Sequence, residues 1–183
     1  GLSSIALTSD ILEQQYNRGD IKPHLLSRIK KNARNLAATL DDIVWLINPE
    51  KETLGDFLMK SKTLSQELLN DIYINFNDII LDDDKKRMLT PEQKRNLFLF
   101  IKEAVNNIVK HADAKNVNMI FKLVNSQFYL TIKDDGKGFD TYLKTTRNGL
   151  ASLKNRAEIL RGKYTIFSKI NEGTTIELQI RIP

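Results

Sequence analysis

A chain of 183 residues with 41% apolar content, eight glycines and four prolines is long enough for one or two packed domains and too apolar for a disordered tail. It has no cysteine, which excludes a disulfide scaffold and thiolate metal sites, and its two histidines cannot build a His-rich zinc centre. Twenty-eight basic against 23 acidic residues leave +5 on a strongly mixed surface, a weak basis for nucleic-acid binding.

No run reaches the roughly eighteen apolar residues of a membrane span, and the first residues lack a signal-peptide pattern, so the expectation is a soluble, cytoplasmic piece with no membrane segment of its own. In chain order, Leu2, Ile5, Ser9, Leu12 and Tyr16 keep steps of three and four. "NRGD" and Pro23 supply a stop and restart, and Leu26, Ile29, Ala33, Leu36, Leu40, Ile43 and Ile47 resume the rhythm. Two helices cannot bury so narrow a stripe alone, so the pattern predicts a helical hairpin that pairs with a second copy as a four-helix bundle in a homodimer. Trp45, near its end, reads as a packing anchor.

An amphipathic helix is predicted from Thr53 to about Asn70, with Leu54, Phe57, Leu58, Leu64 and Leu68 on its apolar side. Beyond it "DIYINF" alternates like a strand, "LDDDKKR" reads as a solvated turn, and "FIKEAVNNIVKHADA" as a helix over residues 100–114. "NVNMIFKLV" and "QFYLTIKD" form a hairpin around Asn125-Ser126. "GLASLKNRAEILRG" is a helix closed by Gly162, and "KYTIFSKI" with "TTIELQIRI" make a second hairpin. The expected fold class is therefore α+β: a helical hairpin over residues 1–50, then an α/β sandwich with a largely antiparallel sheet over 51–183.

Four stretches hold residues that packing does not require. On the helix of residues 100–114, Ile101, Ala104, Val105, Ile108 and Ala112 face the core, while Glu103, Asn106, Asn107, Lys110 and His111 form a polar stripe. Two adjacent asparagines are poor helix formers, because the short amide competes for backbone groups. In "IKDDGKGFD", Asp134 ends a strand just before Gly136 and Gly138. A carboxylate there can accept a hydrogen bond from an exocyclic amine, and the glycines permit both positive φ and close approach by a ligand. Asn148-Gly149 opens a helix whose first N–H groups suit phosphate, and Gly173, Thr174 and Thr175 begin a strand with hydroxyls at its edge.

Taken in order, these segments resemble the ATPase superfamily shared by gyrase, heat-shock protein 90, histidine kinases and the mismatch-repair ATPases. "EAVNNIVKHA" is similar to its N-box, "DDGKGF" to its G1 box, "NGLASLKNRA" to its G2 box and "EGTTIEL" to its closing Gly-Thr segment. The resemblance implies an ATP and Mg²⁺ site in which Asn107 holds the metal through its carbonyl oxygen and Asp134 reads adenine. Lys110, His111, Gly136, Gly138, Gly149, Leu150, Thr174 and Thr175 complete the nucleotide site. Arg147 stands where many relatives carry the first G2 glycine and is placed to contact phosphate itself. Lys144 and Arg147 belong to a short polar lid, "TYLKTTR". Glu103 has two readings: it activates water, as in the superfamily's hydrolases, or it orders Mg²⁺ and water.

The helical hairpin ending in "LDDIVWLINPEKETL" is similar to sensor histidine kinases whose phosphoacceptor motif reads His-Asp-x-x-Gly, and "GLSSI" resembles the residues just after that histidine. The resemblance implies a two-component kinase that passes the γ-phosphoryl group to a histidine and then to the receiver domain of a response regulator. The acceptor is expected upstream of Gly1, so the 183 residues alone are not expected to phosphorylate themselves. His24, at the start of a helix with no acidic neighbour, is a poor substitute. The alternatives are an ATP-driven conformational clamp, which needs transducer domains, and an anti-sigma-type serine kinase, which lacks the hairpin.

Overall fold

The computed structural model describes residues 23–47, 52–140 and 148–183. The first helix of the expected hairpin, residues 1–22, and the lid with Lys144 and Arg147 lie outside them. The chain divides into two compact units, Gly1–Pro49 and Glu50–Pro183. None of the described helices is long and apolar enough to cross a membrane.

In the first unit, helix α1 spans Pro23–Ile47, and His24 falls in its first turn. Its predicted seam is only partly covered: Ile29 and Leu36 are half-buried, whereas Leu40 and Ile43 are 53% and 47% exposed, and Val44, beside the seam, is 62% exposed.

The second unit layers three helices on one face of a five-stranded sheet. Helix α2, Leu54–Leu68, begins with a reciprocal cap: Thr53 accepts from the Asp56 N–H, and the Asp56 carboxylate accepts from the Thr53 N–H. Leu54, Phe57, Leu58 and Leu64 are buried, but the last apolar contact comes from Leu69 at the C-cap, 2% exposed, in place of the expected Leu68. Strand β1 is Tyr73–Ile79. The acidic-basic run holds a single 3₁₀ turn, Asp84–Lys86, laced by i,i+3 ion pairs from Asp82, Asp83 and Asp84 to Lys85, Lys86 and Arg87.

Helix α3 spans Pro91–Asn107, with Pro91 at its first position and a Thr90–Gln93 capping box. Strands β2 (Asn116–Val124) and β3 (Gln127–Asp134) turn on Asn125 and Ser126, both at positive φ, the geometry of a tight hairpin. Helix α4, Asn148–Ile159, leads to β4 (Lys163–Ser168) and β5 (Thr174–Arg181). The sheet order is β1-β2-β3-β5-β4, with β1 parallel to β2 and every other pair antiparallel. Alternate residues Val117, Met119, Phe121, Phe128, Leu130, Ile132, Ile176, Leu178 and Ile180 face the helices and are buried with Phe98, Phe100 and Ile101 of α3. The opposite face carries polar side chains such as Tyr129, Thr131, Glu177 and Gln179.

Gly162 corrects a detail of the expectation. The left-handed residue that ends α4 is Arg161, at φ 50°, and the Gly162 N–H donates to the Ala157 carbonyl. Glycine is needed at 162 for space, since a Cβ there would lie 2.6 Å from Ile180 Cγ2.

Candidate functional site

Where α3 runs out over the ends of β3 and β5, the regular helix stops at Asn107. The next five residues, Ile108–Ala112, form a π turn, and Asp113 closes it in the left-handed region at φ 55°. The expected uninterrupted helix to residue 114 is thus wrong in its last turn. Such turns add a residue without breaking the helix and concentrate at functional sites. Here Ile108 and Ala112 stay buried while His111 turns toward a cleft, and Lys110 is exposed outside it.

The cleft opens to solvent and has a cavity volume of about 90 Å³. Ala104, Ile108, Ala112, Phe139, Leu150, Ile166 and Ile176 form its apolar wall; Asn107, His111, Asp134, Lys137, Gly138 and Thr174 complete the lining. Largely apolar walls with a few convergent polar groups are the usual form of a small-molecule site.

At one end sits Asp134, 5% exposed. Burial pushes its carboxyl above the usual carboxylate range, opposed by hydrogen bonds from the Gly136 and Thr174 N–H groups. Its Oδ1 accepts from the Gly136 N–H at 2.9 Å. At the other end Asn107 and Glu103 face the opening of α4: a Cβ on Gly149 would lie 2.7 Å from Glu103 Oε1 and 2.9 Å from Asn107 Oδ1. A larger residue at 149 would displace the ends of these two side chains from the opening of α4. Among the described residues, Asn107 Nδ2 is buried and has no hydrogen-bond partner. Leaving such an amide unpaired is costly, so a ligand group that accepts from it would gain a hydrogen bond here.

The glycines meet part of the expectation and add to it. Gly138 has the expected positive φ, 55°, and lines the cleft, but a Cβ on it would also lie 2.0 Å from the Lys169 carbonyl oxygen, and one on Gly136 2.4 Å from that of Ala112. The close approach is by the protein's own chain. These contacts dock the turn after β3 onto the π turn, helped by the Lys137 N–H donating to the Ala112 carbonyl at 2.7 Å.

Of the residues singled out from sequence, Asn107, His111, Asp134, Gly138, Leu150 and Thr174 line the cleft, and Glu103 and Gly149 meet at its edge. Asn106, Lys110, Gly136 and Thr175 do not line it. Thr175 comes directly after Thr174 along β5, so alternation turns its side chain to the opposite face of the sheet. Arg147 lies outside the described residues. Lys137, Phe139, Ile166, Ser168 and Ile176 went unnoticed in the sequence. Ser168 Oγ lies 2.9 Å from Thr174 Oγ1 and accepts from the Phe139 N–H, joining two walls of the cleft. A serine ending a strand opposite a threonine was the only available signal.

Among the described residues no group of three His, Cys, Asp or Glu could hold a metal ion. The oxygens of Asn107 and Glu103 at one rim fit a hard cation that takes one or two ligands from protein and the rest from water and phosphate, as Mg²⁺ does.

Residues 92–183 match the family described as histidine kinase-, DNA gyrase B-, and HSP90-like ATPase. The chain is 29% identical over 187 residues to the signal transduction histidine-protein kinase/phosphatase DegS of Brevibacillus brevis, covering 99% of this chain and 47% of that protein. It is 36% identical over 88 residues to the sensor histidine kinase LiaS of Bacillus subtilis, covering 48% of this chain and 24% of that protein. The chain thus spans about half or less of the length of these relatives. In fold it is similar to the histidine kinase AdeS of Acinetobacter baumannii, with a TM-score of 0.59 at 16% identity, over 98% of this chain and 97% of that one. It is also similar to the histidine kinase domain of a blue-light-activated kinase from Erythrobacter litoralis, with a TM-score of 0.58 at 18% identity, over 98% and 83%.

Proposed function

The chain belongs to the histidine kinase-, DNA gyrase B-, and HSP90-like ATPase family, and from that premise we propose that it is the dimerisation and ATP-binding region of a two-component sensor histidine kinase acting in the cytoplasm. Residues 1–50 supply the dimer contacts and 51–183 the nucleotide site. The observation that carries the reading is the cleft itself, which sets the buried Asp134 carboxylate at one end and Asn107, its Nδ2 unpartnered among the described residues, at the other.

In this reading Asp134 accepts a hydrogen bond from the exocyclic amine of adenine, and Asn107 contributes its carbonyl oxygen to Mg²⁺, with Glu103 ordering the metal's water. His111, Leu150 and Thr174 line the nucleotide. The first N–H groups of α4 at Gly149 face the phosphates, to which Arg147 of the same G2 segment is also assigned. Phosphoryl transfer depends mainly on positioning and on neutralising charge, and Mg²⁺ supplies most of that neutralisation when bound. The γ-phosphoryl group goes to a histidine nitrogen of the kinase and from there to an aspartate of a response-regulator receiver domain.

The test is incubation of the intact protein with γ-labelled ATP and Mg²⁺. The reading expects label that is acid-labile and base-stable, the mark of phosphohistidine, and that moves to a receiver domain. Acid-stable label on serine, or hydrolysis of ATP with no labelled protein, contradicts it.

A further inference from the structure

The second aspartate of the Asp134-Asp135 pair does not line the cleft, yet it makes the densest set of hydrogen bonds near it. Asp135 Oδ1 accepts from the main-chain N–H groups of Lys115 and Asn116, both at 2.8 Å, and Oδ2 accepts from Asn116 Nδ2 at 2.7 Å. Its own N–H donates to the Asn116 carbonyl at 3.2 Å. These bonds cross from the turn after β3 to the segment joining the π turn to β2. The side-chain amide of Asn116, together with the main-chain N–H groups, holds the Asp135 carboxyl below the usual carboxylate range, so the acceptor is ionised at neutral pH.

The location decides what these bonds do. Asp135 lies between the carboxylate that ends β3 and Gly136, which packs on Ala112. A shift of the turn would therefore move Asp134 relative to the α3 residues that line the other end of the cleft. An exposed carboxylate that only solvated the surface would not gather two main-chain donors from a neighbouring segment.

We propose that Asp135 is a positioning residue for adenine recognition, clamping the turn after β3 to residues 115–116 so that the Asp134 carboxylate stays aimed into the cleft. The inference rests on the nucleotide reading of the cleft and deepens it: selectivity for a 6-amino purine depends on both aspartates, one touching the base and the other holding the first in place.

The test measures dissociation constants of the 183-residue chain for ATP and for purine riboside triphosphate, which lacks the exocyclic amine, alongside thermal melting. Unmodified protein should prefer ATP on the order of tenfold, the worth of one hydrogen bond to a charged acceptor. Asp135→Ala should bring that preference down to about threefold or less, while Asp135→Asn, which keeps a carbonyl oxygen for the two main-chain donors, should retain most of it. Asn116→Ala removes one of the bonds and leaves the backbone donors, so it should lose a smaller share; it also decides the matter if Asp135→Ala does not fold. A full preference retained in both Asp135→Ala and Asn116→Ala, or equal weakening of both nucleotides, would overturn the proposal. Failure of the unmodified chain to bind ATP at all would instead strike the nucleotide reading itself.

Discussion

On α1, Leu40, Ile43 and Val44 leave about half or more of their surface in water, 47% at the least, whereas on α3 the residues Leu97, Phe98, Phe100 and Ile101 are fully buried. Both helices announce themselves in the sequence by the same spacing of three and four. The difference lies in what the chain offers each of them. Three alternating strands present α3 with a continuous apolar face, and α2 and α4 close its flanks. For the α1 stripe, the described residues provide only part of a cover. An amphipathic period therefore shows that a helix has a face to bury, but not whether the same chain can bury it.

Breaking the completed region should have the largest effect. Phe100 is fully buried and meets Tyr164 edge to face, with ring centroids 5.9 Å apart. Phe100→Ala should cost the second unit about 3–5 kcal/mol through lost transfer energy and the cavity left behind. A urea titration should show the lower midpoint. A charge in the unfinished region should do the opposite: Leu36→Glu should abolish self-association at a cost of at least about 2 kcal/mol per protomer, while leaving the melting of the second unit unchanged. Light scattering that found the unmodified chain monomeric would remove the contrast between the two regions.

Two smaller effects sharpen the contrast inside the second unit. The Asp134 carboxyl is raised by burial, so its contribution to stability is present below its unfolded pKa and is lost as pH rises through the folded value. Asp134→Asn keeps an oxygen for the Gly136 N–H and removes the charge, so the ligand-free protein should melt higher at neutral pH and bind ATP more weakly. The smallest effect belongs to Tyr164, whose hydroxyl is buried without a hydrogen-bond partner among the described residues and whose pKa burial pushes up to about 12. The stability that depends on the protonated phenol should persist to pH 10 and fall between pH 10 and 12. Tyr164→Phe should flatten that fall in an alkaline unfolding series and change stability at pH 7 by no more than about 1 kcal/mol.

Much of the second unit was legible because its elements carry unambiguous periods. The β2–β3 hairpin alternates cleanly around two residues that tolerate positive φ, and α2 starts after a threonine cap, whereas α3, expected from residue 100, starts at Pro91 behind a Thr90 cap that went unnoticed in the sequence. The π turn was not legible, since Ile108 and Ala112 are four apart and suit a regular helix equally well; only the direction of Lys110 and His111 betrays the difference. Thr174 and Thr175 were read as a pair, although a strand period of two sends them to opposite faces. The glycines after β3 were credited to a ligand because a sequence does not show which other backbone segment comes near. For the same reason Asp135 was invisible: its partners lie about twenty residues away.

The central claim is that the cleft between Asp134 and Asn107 is an ATP site, and titration calorimetry tests it most directly. The unmodified chain should bind ATP with Mg²⁺, and Asp134→Ala should weaken that binding by roughly 1–3 kcal/mol while the fold, monitored by circular dichroism, remains intact. Equal affinity for ATP in the two proteins would contradict the assignment of Asp134, and no binding by either would contradict the site.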